Sequence, residues 1–257
     1  MSTRPLSKRI LHGLEEPIFD RLPQSVVLNF DHPGSENALL WNTIYPRCQP
    51  FLAWRKLLAL EPRWGTAIDP AREPDDQLQP FFWGYAVSGE RMPELDRVLE
   101  TIDGPGPKTE VDLFLKGREK LVLVEAKHAA APGRCSRFGA GRCPEVHETS
   151  TDAGAGCRYW EAGPALFEAQ LELGGRPAAG GPAPPCNTHY QLARTLLVGQ
   201  ALAGELGLEL HLWLLLPDRQ WRGYRRAWTD FTRRVRDEQL WRRLRAITWQ
   251  SLRSIDA

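Results

Sequence analysis

No stretch of this chain is apolar for long enough to cross a membrane. The longest run, "LHLWLLLP" at 210–217, falls far short of the roughly 20 residues a spanning helix needs. The N-terminal "MSTRPLSKRILHGLEEPIF" has no long apolar core of the secretory kind, so a cytoplasmic location with no membrane partner is expected. An excess of one charge is missing too. A formal net charge of +1 gives no global pull toward nucleic acid or anionic lipid, and any electrostatic recognition must come from local patches. Cysteine is scarce. Five of them in an intracellular chain argue against a disulfide framework and leave metal binding, catalysis or inert burial. No internal repeat is present.

What remains is an ordinary globular composition, 42% hydrophobic and 25% charged over 257 residues, enough for one large domain with a substantial core. In "HPGSENALLWNTIYPRC", Ser35 can cap a helix whose apolar positions recur at helical spacing and whose first turn carries Glu36. "FLAWRKLLALE" predicts a second helix, "FFWGYAV" at 81–87 a strand and "MPELDRVLETI" a short helix. "TEVDLFLKGREKLVLVEAKHAA", residues 109–130, reads as a hairpin. "NTHYQLARTLLVGQALAGELG" predicts a helix capped by Asn187 or Thr188 and ended by Gly207, and "LELHLWLLLP" a buried strand. The order of helix, three strands, helix, strand implies an α/β sandwich with a mixed sheet.

The hairpin ends in charges. Strand alternation puts Glu110, Asp112 and Phe114 on one face, and Leu121, Leu123, Glu125 and Lys127 on one face of its partner. A two-residue turn sets 112 opposite 123, whereas a four-residue loop sets 112 opposite 125. Either register leaves Asp112, Glu125 and Lys127 on the same face near the same end. Two carboxylates there can hold a hard divalent cation with a lysine beside it, a combination suited to phosphodiester hydrolysis. The plainer alternative is surface charge at a fraying sheet end.

Asp112, a short hairpin, "EAK" at 125–127, an acidic residue on a preceding helix and "YQ" opening a following one resemble the PD-(D/E)XK nuclease superfamily, the restriction-endonuclease-like fold. "TEVD" replaces the name-giving Pro-Asp, which leaves a contribution from Glu110 open. The resemblance is closest to bacterial restriction-endonuclease-like proteins. It implies an αβββαβ core with a mixed central sheet flanked by helices, spanning about 35–216. It further implies a DNA-cutting enzyme dependent on Mg²⁺ or Mn²⁺, with Asp112, Glu125 and Glu36 as metal ligands. Lys127 would orient or activate the attacking water, Gln191 would position phosphate or water, and a homodimer is left open. The rival reading is a catalytically idle nucleic-acid-binding or assembly module on the same fold.

Outside that core, residues 130–187 form a Gly, Pro and Ala-rich insertion within the single domain. It carries Cys135, Cys143, Cys157 and Cys186, near His128, His147 and His189. Four thiols suit Zn²⁺ or, as the resemblance allows, an iron–sulfur cluster, yet no pair has C-x(2–4)-C spacing; inert cysteines are the other reading. Cys48 is expected to be a small buried hydrophobe. The tail, 218–257, is expected to be a basic helical extension: eleven arginines against three acids between 219 and 253 give a local excess of +8, interleaved with Trp221, Trp228, Trp241 and Trp249. That excess permits phosphate binding or base stacking, while the tryptophans are expected to pack inward.

Overall fold

The computed structural model describes residues 9–32, 34–48, 51–66, 68–128, 132–147, 156–161 and 166–255. The start of the segment read for a leader (1–8), parts of the insertion (130–131, 148–155 and 162–165) and the final two residues lie outside the described residues.

Among the described residues the eight strands are β1 (Leu52–Ala53), β2 (Trp64–Gly65), β3 (Gln77–Phe82), β4 (Tyr85–Ala86), β5 (Leu113–Lys116), β6 (Lys120–Ala126), β7 (Glu209–Leu216) and β8 (Leu244–Thr248). They form one mixed sheet in the order β1-β3-β5-β6-β7-β8-β2, with β4 hairpinned onto β3. β6, β7 and β8 run parallel and the other pairs antiparallel. The α/β architecture expected from the element order is present.

Both faces of the central strands are buried, which is why β6 reads as an unbroken aliphatic run. Leu113, Leu115, Val122 and Val124 pack with Trp41, Trp213 and Ile247 under the Glu36–Ile44 helix. Phe114, Leu121 and Leu123 face the other way, against Leu192, Leu196 and Val198 of the Tyr190–Leu206 helix. Each fully buried side chain of this size contributes about 1.5–3 kcal/mol. Gly199 lets that helix sit close, since a Cβ there would meet Leu123 and Leu210 at 3.0 Å.

Four local expectations are corrected. "FFWGYAV" is not one strand: β3 begins at Gln77, and the chain reverses at Trp83 (φ 49°) and Gly84 (φ 84°), the two positive angles a type I′ hairpin requires. The aromatic run hides a turn that only Gly84 signals. "FLAWRKLLALE" opens as β1 and is helical only over Trp54–Leu58. Neither Asn187 nor Thr188 caps the long helix. His189 occupies that position without a side-chain cap bond, because Pro185–Thr188 forms its own turn first; Gly207 does end the helix, at φ 66°.

The tail is the fourth. After helices Trp221–Arg233 and Glu238–Arg242 it contributes β8, between β7 and β2, before ending in Trp249–Arg253. The five-residue strand is disguised by Arg245, which is buried, lies 5.1 Å from the Trp213 ring and donates to Leu60 O at 3.3 Å. Burial lowers its pKa to about 10. Of the insertion, Tyr159, Trp160, Phe167 and Leu171 join the core on the Tyr190–Leu206 side. Among the described residues no helix is long and apolar enough to cross a membrane.

Candidate active site

The hairpin register is the second of the two expected. Leu113 stands opposite Val124 and Lys116 opposite Leu121, which brings Asp112 level with Glu125. Asp112 ends the run into β5, and its Oδ2 accepts a hydrogen bond from Ala126 N at 2.8 Å. Glu125, fully buried on β6, accepts from Lys127 Nζ at 2.7 Å. Lys127 follows the last residue of β6, extends the parallel ladder through N–H to Leu215 O at 2.7 Å, and accepts Trp249 Nε1 on its carbonyl at 2.9 Å. Both of its flanks are thereby fixed.

Glu36 arrives from a third element. Ser35 Oγ accepts from Ala38 N at 3.0 Å and starts the helix, so Glu36 falls in its first turn. From there Oε1 accepts His128 N at 2.8 Å and Oε2 lies 3.6 Å from Lys127 Nζ. Gln191, in the first turn of the long helix, donates through Nε2 to Glu125 Oε1. Its Oε1 accepts Gly133 N at 2.6 Å, while its own backbone N–H donates to Gly133 O at 3.1 Å. All five residues singled out in the sequence therefore meet at one end of the central hairpin. Glu110 does not join them: it is exposed and accepts from Ser25 Oγ at 3.2 Å.

Two further side chains belong here. Thr195 Oγ1 donates to Glu125 Oε2 at 3.2 Å. Its signal was its position four residues after Gln191, on the same helix face. Tyr224, on the Trp221–Arg233 helix, is buried within electrostatic reach of Glu36 and Lys127; burial and Glu36 raise its pKa against the opposing effect of Lys127. Nothing in the local pattern marked it.

Three carboxylates around one lysine leave negative charge in excess. Burial first, and then Glu125, push the Asp112 carboxyl up to about 8, against the opposing effects of Lys127 and the Ala126 N–H, with Glu36 adding to the rise. Burial works to lower Lys127, but Glu125, Asp112 and Glu36 outweigh it and its pKa is raised. The lysine is thus a permanent ammonium at neutral pH. It can orient a water or stabilise an oxyanion, but it has no lone pair with which to take a proton. The oxygen donors and the uncompensated charge fit a hard divalent cation. Among the described residues, however, no three His, Cys, Asp or Glu side chains stand as a ready-made metal-binding group; the carboxylates are gathered around the Lys127 ammonium instead.

That limit applies equally to the insertion's cysteines. Cys157 is in electrostatic reach of Cys186 and Cys135, and Cys186 of Cys143, yet among the described residues these thiols do not stand as a metal-binding group. Burial, above all, pushes Cys157 up to about 12 and Cys186 up to about 11; Cys48, buried as expected, rises to about 12. These three thiols should therefore react with iodoacetamide at pH 8 at least about 100-fold more slowly in the folded chain than in guanidinium, because the thiolate is the nucleophile. Mass spectrometry of the alkylated sites checks this, and native rates equal to denatured ones would refute the burial.

An αβββαβ core with acidic side chains and a lysine at the end of its central hairpin is the frame of a restriction-endonuclease-like module. The chain belongs to the family described as restriction endonuclease associating with ARP, whose model matches residues 4–256. No curated protein and no solved structure matches it significantly.

Proposed function

We propose that this protein hydrolyses DNA phosphodiester bonds in a Mg²⁺- or Mn²⁺-dependent reaction. One observation carries the reading: Glu125 and Glu36 pair with the buried Lys127 ammonium at the end of the central hairpin, and Asp112, from a third element, lies level with Glu125 within electrostatic reach of that ammonium. Asp112 and Glu36, with Glu125, would hold the cation, which when bound polarises a phosphoryl oxygen and makes water more acidic. Lys127 orients the attacking water and opposes the charge that grows on the phosphorane oxygens. Gln191 and Thr195 fix the Glu125 carboxylate in its rotamer. DNA is the substrate that membership of the family implies.

A second reading, a catalytically idle binding or assembly module, is favoured by a different observation: both oxygens of Glu125 are already engaged, by Lys127, Gln191 and Thr195. Cleavage of plasmid and single-stranded DNA with Mg²⁺, Mn²⁺ or EDTA separates the two. Metal-dependent cutting is expected, with a loss of about 10²–10³-fold in Lys127→Ala, the scale of removing a preorganised transition-state partner. Equal product in EDTA, or in the variant, would defeat the proposal; a folded wild-type chain that cuts nothing would favour the idle module.

A further inference from the structure

We infer that the cleft along the Trp221–Arg233 helix grips the phosphate backbone of duplex DNA beside the cutting site, without reading its sequence. The inference deepens the nuclease reading, on which it rests for its choice of ligand. The helix is strongly two-sided: Tyr224, Trp228 and Phe231 are buried in the protein, whereas Arg222, Arg225, Arg226 and Arg233 are exposed. Those four arginines and Arg134, from the insertion, line a cleft of about 860 Å³. None of the five forms an ion pair among the described residues.

Among the described residues, the one acid lining the cleft, Asp230, is already committed: it lies 2.7 Å from His189 Nε2 and 3.3 Å from Arg234 Nε. The cleft is therefore a concentrated, unneutralised positive surface on a chain whose net charge is only +1. Its position ties it to the site. Arg134 also lines a neighbouring hollow of about 560 Å³ together with Gln191, Tyr190, Arg194 and Lys108, and Tyr224 anchors the same helix beside Glu36 and Lys127. A polyanion lying along the arginines would pass Gln191 and continue toward Arg194 and Lys108.

The chemistry of the lining selects the ligand. Single strands are held by stacking bases on exposed aromatic rings, and among the described residues the cleft is lined by none, since Tyr224, Trp228 and Phe231 of the helix face inward. Guanidinium groups spaced along one helix face can neutralise successive phosphates of a duplex, whose bases remain stacked on each other.

The test is fluorescence anisotropy of the full chain with a labelled duplex of about 20 base pairs and the matching single strand, in EDTA, across a salt series. Binding in EDTA needs no catalysis, so its result stands apart from the cleavage assay. Arg222→Gln/Arg225→Gln/Arg226→Gln is compared with a charge-matched control, Arg72→Gln/Arg97→Gln/Arg242→Gln, at sites 87%, 71% and 54% exposed. Thermal melts confirm that both variants fold. The expected result is that the cleft variant binds duplex at least about 30-fold more weakly than wild type, with the log–log salt slope flatter by about 2–3, while the control stays within about threefold. Equal losses in both variants, no loss in the cleft variant, no duplex binding by wild type, or single strand bound as tightly as duplex would each overturn the inference.

Discussion

Asp112→Asn is expected to cut nothing and yet to melt at a higher temperature than the wild-type chain in metal-free buffer at pH 8. Burial and Glu125 hold the Asp112 carboxyl in its protonated form up to about pH 8, whereas in the unfolded chain it ionises at the ordinary value near 4. The sign follows from proton linkage. Below pH 4 both states carry the proton and the residue costs nothing. As pH rises from about 4 to 8 the unfolded state releases its proton and the folded state does not, so stability falls; above 8 the penalty is constant.

Asparagine reproduces the shape of the protonated acid and removes that penalty. The gain at pH 8 should be about 1–3 kcal/mol, less than an isolated group would give because the charge is shared with Glu125 and Lys127. Melts at pH 5 and pH 8 check it: the gap between variant and wild type should widen with pH. A variant that is less stable at pH 8 would show that Asp112 is not held against its own charge.

Lys127→Met should be equally inactive and move stability the other way. The methionine is nearly isosteric, so the change is mainly the loss of one buried ammonium from among Glu125, Asp112 and Glu36. Removing one partner of a buried ion cluster costs about 3–5 kcal/mol, because the remaining charges stay desolvated and unpaired. The cost should shrink as the pH is lowered toward 5 and the carboxylates take up protons. Adding Asp112→Asn should recover part of it, giving a non-additive pair in a double-mutant cycle. Urea unfolding of the four proteins supplies the numbers, and strict additivity would refute a shared cluster. Two variants with one catalytic outcome and opposite stabilities separate loss of function from loss of fold.

The site was legible where a short-range rule fixes geometry. Period two along the hairpin placed Asp112, Glu125 and Lys127 together whichever loop closed it, and the Ser35 cap fixed Glu36 in the first turn of its helix. Gln191 came only from the family resemblance, since nothing near it in sequence points across 66 positions to Glu125. Tyr224 and the Trp249 bond to Lys127 depend on how the tail folds back, and the tail was misread. Arg245 interrupts β8, and a five-residue strand with a charge at its second position carries too little alternation to stand out from the basic helix before it. The insertion's four cysteines were visible only as four letters, and no spacing among them fixes how they lie in the fold.

Gln191 touches both the acid and the insertion, and an amide has two different ends. Gly133 N–H claims the oxygen, so the NH₂ group is left to face Glu125. The amide is therefore held from two sides, by Glu125 of the central hairpin and by the cysteine-bearing excursion between that hairpin's last strand and the helix. Drawing Gly133 away would take one of the amide's two anchors and leave the Glu125 contact to hold the side chain alone. The insertion and the central acid are in this sense the two ends of one splint, joined through a single side chain.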